Sequence, residues 1–349
     1  MKGRAYRWIQ LAFLALGLVA CSPPKSTFPP LPRTPLGAAG RPFQKGMVYG
    51  IFSRAGESFH RRNLKELANL GINSIEIVVP RSIPSIYSTE LAGADPMVTP
   101  SRTSVTQAIR QAHRQGLAVF LFPILFVQDL EGEEWRGALA PLDWDVWWRH
   151  YTDWILTEAR WAAAQDVEIF SVGSELCSAE PFNERWEALI AQVRAVFPGQ
   201  ITYSANWDHL QEIRFAGALD FIGMNAYFEV GSPHPTLDGL LDRWQPILRQ
   251  LDAWQARLAK PVVVTEIGYQ SKKGSTLHPW DYLAEGEEDP VEQDLGYRAF
   301  MAAWSTRHWF AGCYFYLWWE ENDKDGRGYT PRGKPAAGSI AQWYNQENH

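Results

Sequence analysis

Two glutamates stand where glutamate is costly to place. Lys260-Pro-Val-Val-Val-Thr-Glu-Ile-Gly-Tyr269 carries three consecutive Val entered through Pro261, the pattern of a strand buried on both faces, and runs straight into Glu266. Val167-Glu-Ile-Phe-Ser-Val-Gly-Ser-Glu175 is a second such run ending on Glu175, with Gly173 and Ser174 allowing a sharp turn just before it. A carboxylate closing a buried strand is tolerable where the strand end opens into a polar cleft, which is where α/β barrels place their chemistry. Taken alone, Glu266 fits equally well as a cap or as the partner of a surface lysine. The pair is more specific. Their positions are 91 residues apart, three units of a (β/α) repeat of about 30 to 35 residues, which predicts the fourth and seventh strands. Two carboxylates facing across a barrel mouth are what glycoside hydrolysis needs, one as proton donor and one as nucleophile or base.

The elements that would hold them alternate from residue 45 onward. Strands are predicted at 46–53, 73–80, 117–126, 167–175, 201–206, 221–227, over the Val run before Glu266, and at 312–318. Between them lie helical patterns: Leu64, Leu67 and Ala68 on one face before Gly71; Val105, Ile109 and Ala112 before Gly116; and Trp144, Trp147, Trp148, Tyr151 and Ile155 after a capping Asp143. Trp186, Leu189, Ile190, Val193 and Phe197 line another, then Leu237 to Leu251, then a helix over roughly 290 to 305. Eight alternations without a repeat or a second linker predict an α/β chain with a single (β/α)8 TIM barrel over residues 45–349.

Polar and aromatic residues gather just past the predicted strand ends: Asn206-Trp207-Asp208, Asn225-Ala-Tyr227 and Trp318-Trp319-Glu320-Glu321. Singly, each aromatic fits core packing as well as function. Together they favour a cleft in which flat rings meet the apolar faces of sugars.

Residues 1–20 form a different kind of segment. Lys2, Arg4 and Arg7 precede an apolar stretch of about ten residues, too short to span a bilayer, and then Leu18-Val19-Ala20-Cys21. This resembles a bacterial lipoprotein signal, which implies cleavage before Cys21, lipidation of Cys21 and export, with Ser22 favouring the outer membrane. A plain secretory peptide with an incidental Cys is the alternative. Residues 21–44 hold seven Pro and no apolar periodicity, and read as an extended tether.

Composition removes other classes of function. With 33 basic and 39 acidic residues and a net charge of −6, neither nucleic acid nor an anionic membrane surface is an expected partner, membrane contact being confined to the lipid anchor. Besides Cys21 there are Cys177 and Cys313, expected on the fourth and eighth strands and too far apart to bridge. No His-x-x-x-His or Cys-x-x-Cys pair is present, so neither a catalytic metal nor another cofactor is expected. Asp323-Lys-Asp-Gly326 lacks the third acidic position and closing Glu of a calcium loop.

Four motifs, Val172-Gly-Ser-Glu175, Asn225-Ala-Tyr227, Val264-Thr-Glu-Ile-Gly-Tyr269 and Gly328-Tyr-Thr-Pro-Arg-Gly-Lys-Pro335, resemble glycoside hydrolase family 113, a clan A family of retaining (β/α)8 enzymes. The resemblance spans roughly residues 45 to 344. It implies Glu175 as acid/base, Glu266 as nucleophile, Tyr227 as the hydroxyl positioning the nucleophile and Trp318 as the platform under the cleaved sugar. Most of the clan has Asn before the acid/base. Here Ser174 stands in its place, leaving the sugar 2-hydroxyl to Ser174, Asn206 or Asn225. The family's activity implies endo-acting hydrolysis of β-1,4-mannan, a carry-over weaker than the mechanism because substrate is set by variable loops.

The expectation is thus an exported, lipid-tethered retaining β-glycosidase. Glu175, flanked by Leu176 and Cys177, is expected protonated and Glu266 ionised. A catalytically silent carbohydrate-binding lipoprotein and a transglycosylase using the same two carboxylates are the competing readings.

Overall fold

Eight strands, each parallel to its neighbours, close into a barrel in chain order, with β8 returning to β1. The computed structural model describes residues 31–33, 41–51, 55–93, 99–128, 135–210, 213–318 and 326–346. The expected signal segment, Cys21, most of the tether, Trp319-Glu320-Glu321 and Asp323 to Asp325 lie outside the described residues. The strands are β1 (Gln44–Tyr49), β2 (Ser74–Ile83), β3 (Ala118–Val127), β4 (Ile169–Ser174), β5 (Gln200–Ala205), β6 (Ile222–Asn225), β7 (Val262–Ile267) and β8 (Phe310–Trp318). Glu175 and Glu266 therefore do follow the fourth strand and end the seventh.

Among the described residues, seven α-helices accompany the strands: α1 (Glu57–Asn69), α2 (Arg102–Arg114), α3 (Trp144–Ala163), α4 (Asn183–Arg194), α5 (Leu237–Leu258), α6 (Pro290–Trp304) and α7 (Pro335–Tyr344). Eight strand–helix alternations were expected, but the β5–β6 crossover carries a short 3₁₀ turn, Arg214–Ala218, in place of an α-helix. That segment anchors itself through buried Ile213, Phe215, Ala216 and Leu219. The motif ending at Pro335 enters α7, where Pro in the first turn loses no helical hydrogen bond.

Local chemistry starts the helices where predicted. Asp143 caps α3, its Oδ1 accepting from the Asp145 and Val146 amides at 2.8 and 3.0 Å. Inside the barrel, Val48, Phe120, Phe122, Val263 and Tyr314 pack as one apolar plug. At its closed end Phe43 is buried edge-on against Phe310 and Trp343, with ring centroids at 5.1 and 5.7 Å. The folded part thus begins at or before Phe43, two residues inside the segment read as tether.

An aromatic cluster between α3, α4 and β4 prepares the site. Trp147 stacks on Tyr151 at 4.7 Å, and Trp186 meets both Trp148 and Tyr203 edge-on at 5.0 Å. The Tyr151 hydroxyl donates to the Val172 carbonyl at 2.8 Å, which ties the outer helix to the strand that leads into Glu175.

Candidate active site

The turn after β4 departs from expectation in an instructive way. Gly173 is needed for closeness, since a Cβ there would lie 2.8 Å from the Tyr151 hydroxyl and 3.0 Å from the Trp186 ring. The left-handed turn is taken by Glu175 itself, at φ 55°, a conformation uncommon outside Gly, Asn and Asp. It is held from both sides: the Glu175 amide donates to the Ser204 carbonyl at 2.9 Å, and the Leu176 amide donates to the Tyr203 hydroxyl at 2.8 Å.

This places the Glu175 carboxyl against two polar groups. Asn225 donates its side-chain amide to one oxygen, and the guanidinium of Arg136 forms an ion pair with the other. The apolar setting inferred from Leu176 and Cys177 is therefore corrected: those neighbours point into the fold, and the carboxyl itself meets an amide and a cation. Arg136 comes from a 3₁₀ turn between β3 and α3, a loop residue with no strand-end signature, and sequence reasoning missed it.

Across the cleft, the Tyr227 hydroxyl donates to Glu266 Oε1 at 2.5 Å. Burial and the charge of Glu175 push the Glu266 carboxyl up to about 7, against the lowering effects of Tyr227 and Arg136. Burial, reinforced by Glu266, in turn keeps the Tyr227 phenol protonated and able to donate. The Glu266 carboxyl, gripped by a phenol and raised by burial and the neighbouring charge, can hold a proton near neutral pH, with a second carboxyl, held by an amide and a guanidinium, beside it.

A third carboxyl went unpredicted. Glu76 on β2 is wholly buried, and neither of its oxygens has a hydrogen-bond partner among the described residues. Burial first, and the Glu266 charge second, raise it well above the carboxylate range, so it is held neutral. Its signal was legible: Ile75-Glu-Ile-Val-Val79 sets a Glu inside a β-branched run, the same feature that drew notice to Glu266.

The remaining expected residues are distributed around this centre. Asn225 Oδ1 also accepts the Trp207 amide at 2.8 Å, and Asn206 Oδ1 accepts it at 3.1 Å, so both asparagines brace the turn after β5. Trp207 packs edge-on to Phe228 at 5.3 Å. Ser174 is buried at the end of β4, in register with Ser204. Trp318 ends β8 at 2 % exposure, with the Arg332 guanidinium 5.9 Å from its ring centre. More open apolar surface lies in the β7–α6 loop, where Trp280, Tyr282 and Leu283 are exposed and Glu229 accepts the Trp280 Nε1–H at 3.0 Å.

Residues 47–332 match the model of Glycoside Hydrolase Family 113. Among solved structures, the chain is similar to the GH113 β-mannanase AaManA from Alicyclobacillus acidocaldarius in complex with ManMIm, with 28% identity, a TM-score of 0.76, and coverage of 86% of this chain and 97% of that one. A second GH113 β-1,4-mannanase structure is 25% identical, with a TM-score of 0.76 and coverage of 87% and 99%. A Faecalibacterium prausnitzii β-glucuronidase, at 15% identity, a TM-score of 0.60 and coverage of 87% and 49%, shares the fold. No curated protein matches.

Proposed function

Because the chain belongs to glycoside hydrolase family 113, we propose that it cleaves β-1,4-mannan or a related β-linked polysaccharide with retention of configuration. The observation that carries the mechanism is the asymmetric support of the two carboxyls. Glu266 is gripped by the Tyr227 hydroxyl, which aims one oxygen and supports its charge, as a nucleophile requires. Glu175 is positioned at the turn after β4 by Asn225 and Arg136, the second of which favours its ionised form, the form that serves as base in the second step.

In this reading the proton that burial draws into the pair is given by Glu175 to the leaving oxygen while Glu266 attacks the anomeric carbon. Water, deprotonated by Glu175, then breaks the glycosyl ester on Glu266, and two inversions leave the configuration unchanged. Passing the proton to Glu175 requires the Arg136 guanidinium to yield as the sugar enters. Preference for mannan follows the β-mannanases to which the chain is similar. The exposed Trp280 and Tyr282 would offer rings to sugars beyond the cleavage point.

The test is a panel of mannan, glucomannan, xylan and β-glucan with product lengths and anomeric configuration read out. Mixed short oligosaccharides of retained configuration from mannan and glucomannan support the reading. Inverted product rejects the mechanism, and exclusive cleavage of xylan or β-glucan rejects the substrate.

We further propose that Cys21 is lipidated and anchors the enzyme at an exported membrane face. The basic, apolar and small-residue order of residues 1–21 supports this.

A further inference from the structure

Close after Glu175 in the chain, three side chains of metal-ligating types converge. Cys177 follows Glu175 in the turn after β4, Glu180 lies three residues further on, and His209 comes from the loop after β5. One ligand-type atom from each, thiol sulfur, carboxylate oxygen and imidazole nitrogen, lie within 4.8 Å of one another. Cys177 is free and 8 % exposed, Glu180 is wholly buried, and the His209 side chain is 40 % exposed, which leaves a path from solvent.

We propose that Cys177, Glu180 and His209 form a binding site for a borderline divalent transition metal of the Zn²⁺ or Co²⁺ kind. A thiolate with an imidazole and a carboxylate is a donor set that selects such ions over Ca²⁺ and Mg²⁺, which take all-oxygen shells. Bonds of about 2.0 to 2.3 Å in a tetrahedron put ligand atoms roughly 3.3 to 3.7 Å apart, so small side-chain rotations suffice. A fourth position remains on the open side for water. The carboxylate is already fixed, since Tyr203 donates to Glu180 Oε1 at 2.7 Å while Oε2 meets His209 Nδ1 at 2.8 Å. Carboxylates at Glu180, Glu175 and Asp208 add to the effect of burial in holding the Cys177 thiol protonated, a crowding of negative charge that a cation would relieve. On binding, the thiol proton leaves to solvent and the His209 ring proton moves to Nε2, freeing Nδ1 for the metal.

An ion here would tie the β5 loop to the turn that bears the acid. Tyr203 links Glu180 to the Leu176 amide, one residue after Glu175. His209 stands two residues after Trp207, whose amide is held by Asn225. The bland alternative is a Glu180–His209 ion pair with Cys177 as an inert neighbour.

Chelator-stripped full-length protein titrated with Co²⁺ separates the two. The expected result is a thiolate-to-cobalt charge-transfer band with tetrahedral visible bands, saturating at one equivalent, bleached by Zn²⁺ and indifferent to Ca²⁺ or Mg²⁺. Cys177→Ser removes the band. His209→Ala, at a partly exposed position, weakens binding at least about tenfold, the loss that even an outer-shell change can bring. Zn²⁺ raises the thermal midpoint of the wild type and not of His209→Ala, which keeps the test available if Cys177→Ser fails to fold. Absence of any thiolate band, or a band that survives both substitutions, overturns the proposal in favour of the ion pair.

Discussion

Asn225 donates its side-chain amide to Glu175, while its own backbone stands in register with Glu266 across the β6–β7 pairing. One residue on β6 therefore bears on both carboxyls, through its side chain on Glu175 and its backbone beside Glu266. A hydrogen bond to a charged group contributes about 1.5 to 3 kcal/mol, so Asn225→Ala should lower kcat/KM about 10- to 100-fold while leaving the fold intact. A change confined to KM would assign Asn225 to sugar binding alone.

The carboxyls themselves should fail differently. Glu266→Ala removes the nucleophile and should abolish turnover of every substrate. Glu175→Ala loses proton transfer, a contribution of about 10² to 10⁴-fold, so an aryl glycoside with a good leaving group should still react and its glycosyl ester persist. Added azide should restore turnover of Glu175→Ala with retained configuration. Azide rescue of Glu266→Ala giving that same product would reverse the assignment.

Stability should respond to pH through two buried groups of opposite sign. The Glu266 carboxyl is raised from 4.5 to about 7, so the fold favours its protonated form; that stabilisation is full below pH 4.5 and is lost as pH rises through 7. His60 is wholly buried between the Tyr49 and Ser104 hydroxyls at 2.9 and 3.1 Å. Burial lowers it from 6.5 to about 4 against a raising contribution from the Ala55 carbonyl, so its stabilisation is full above pH 6.5 and lost as pH falls through 4. Each is worth on the order of 3 kcal/mol and together they flatten the wild-type profile. Denaturant unfolding from pH 4 to 8 should show Glu266→Gln gaining on the wild type as pH rises, and His60→Gln gaining relative to it as pH falls. Parallel profiles for all three proteins would remove both groups from the account.

If Cys21 carries lipid, the protein should fractionate with membranes, and Cys21→Ala should release it with activity unchanged. Wild type recovered from the soluble exported fraction would leave an ordinary signal peptide.

Both glutamates were legible because β4 and β7 signal locally, as short apolar runs closed by a polar residue, and the barrel was legible because apolar strand runs alternate with amphipathic helical faces. What stayed hidden depended on distances that spacing does not encode. Arg136 enters from a loop with no periodic pattern. Cys177, Glu180 and His209 belong to no His-x-x-x-His or Cys-x-x-Cys pair, and the fold alone brings the last within reach of the first two. Asn206 and Asn225 showed their type and place, but their shared grip on the Trp207 amide required the β5–β6 register to be known. Glu76 stands inside its β-branched run rather than at its end, where pattern alone does not separate a buried acid from the outward-facing position of a strand.

Gly173 makes the position of Glu175, the proposed acid/base, a property of the outside of the barrel. Its missing side chain leaves the backbone of β4 in direct touch with rings from α3, α4 and β5, with no soft atoms between to absorb a displacement. A smaller ring at Trp186, or a helix α3 shifted outward, would let the strand end move and carry Glu175 with it. The position of Glu175 is thus calibrated by how α3 and α4 pack against the outside of β4.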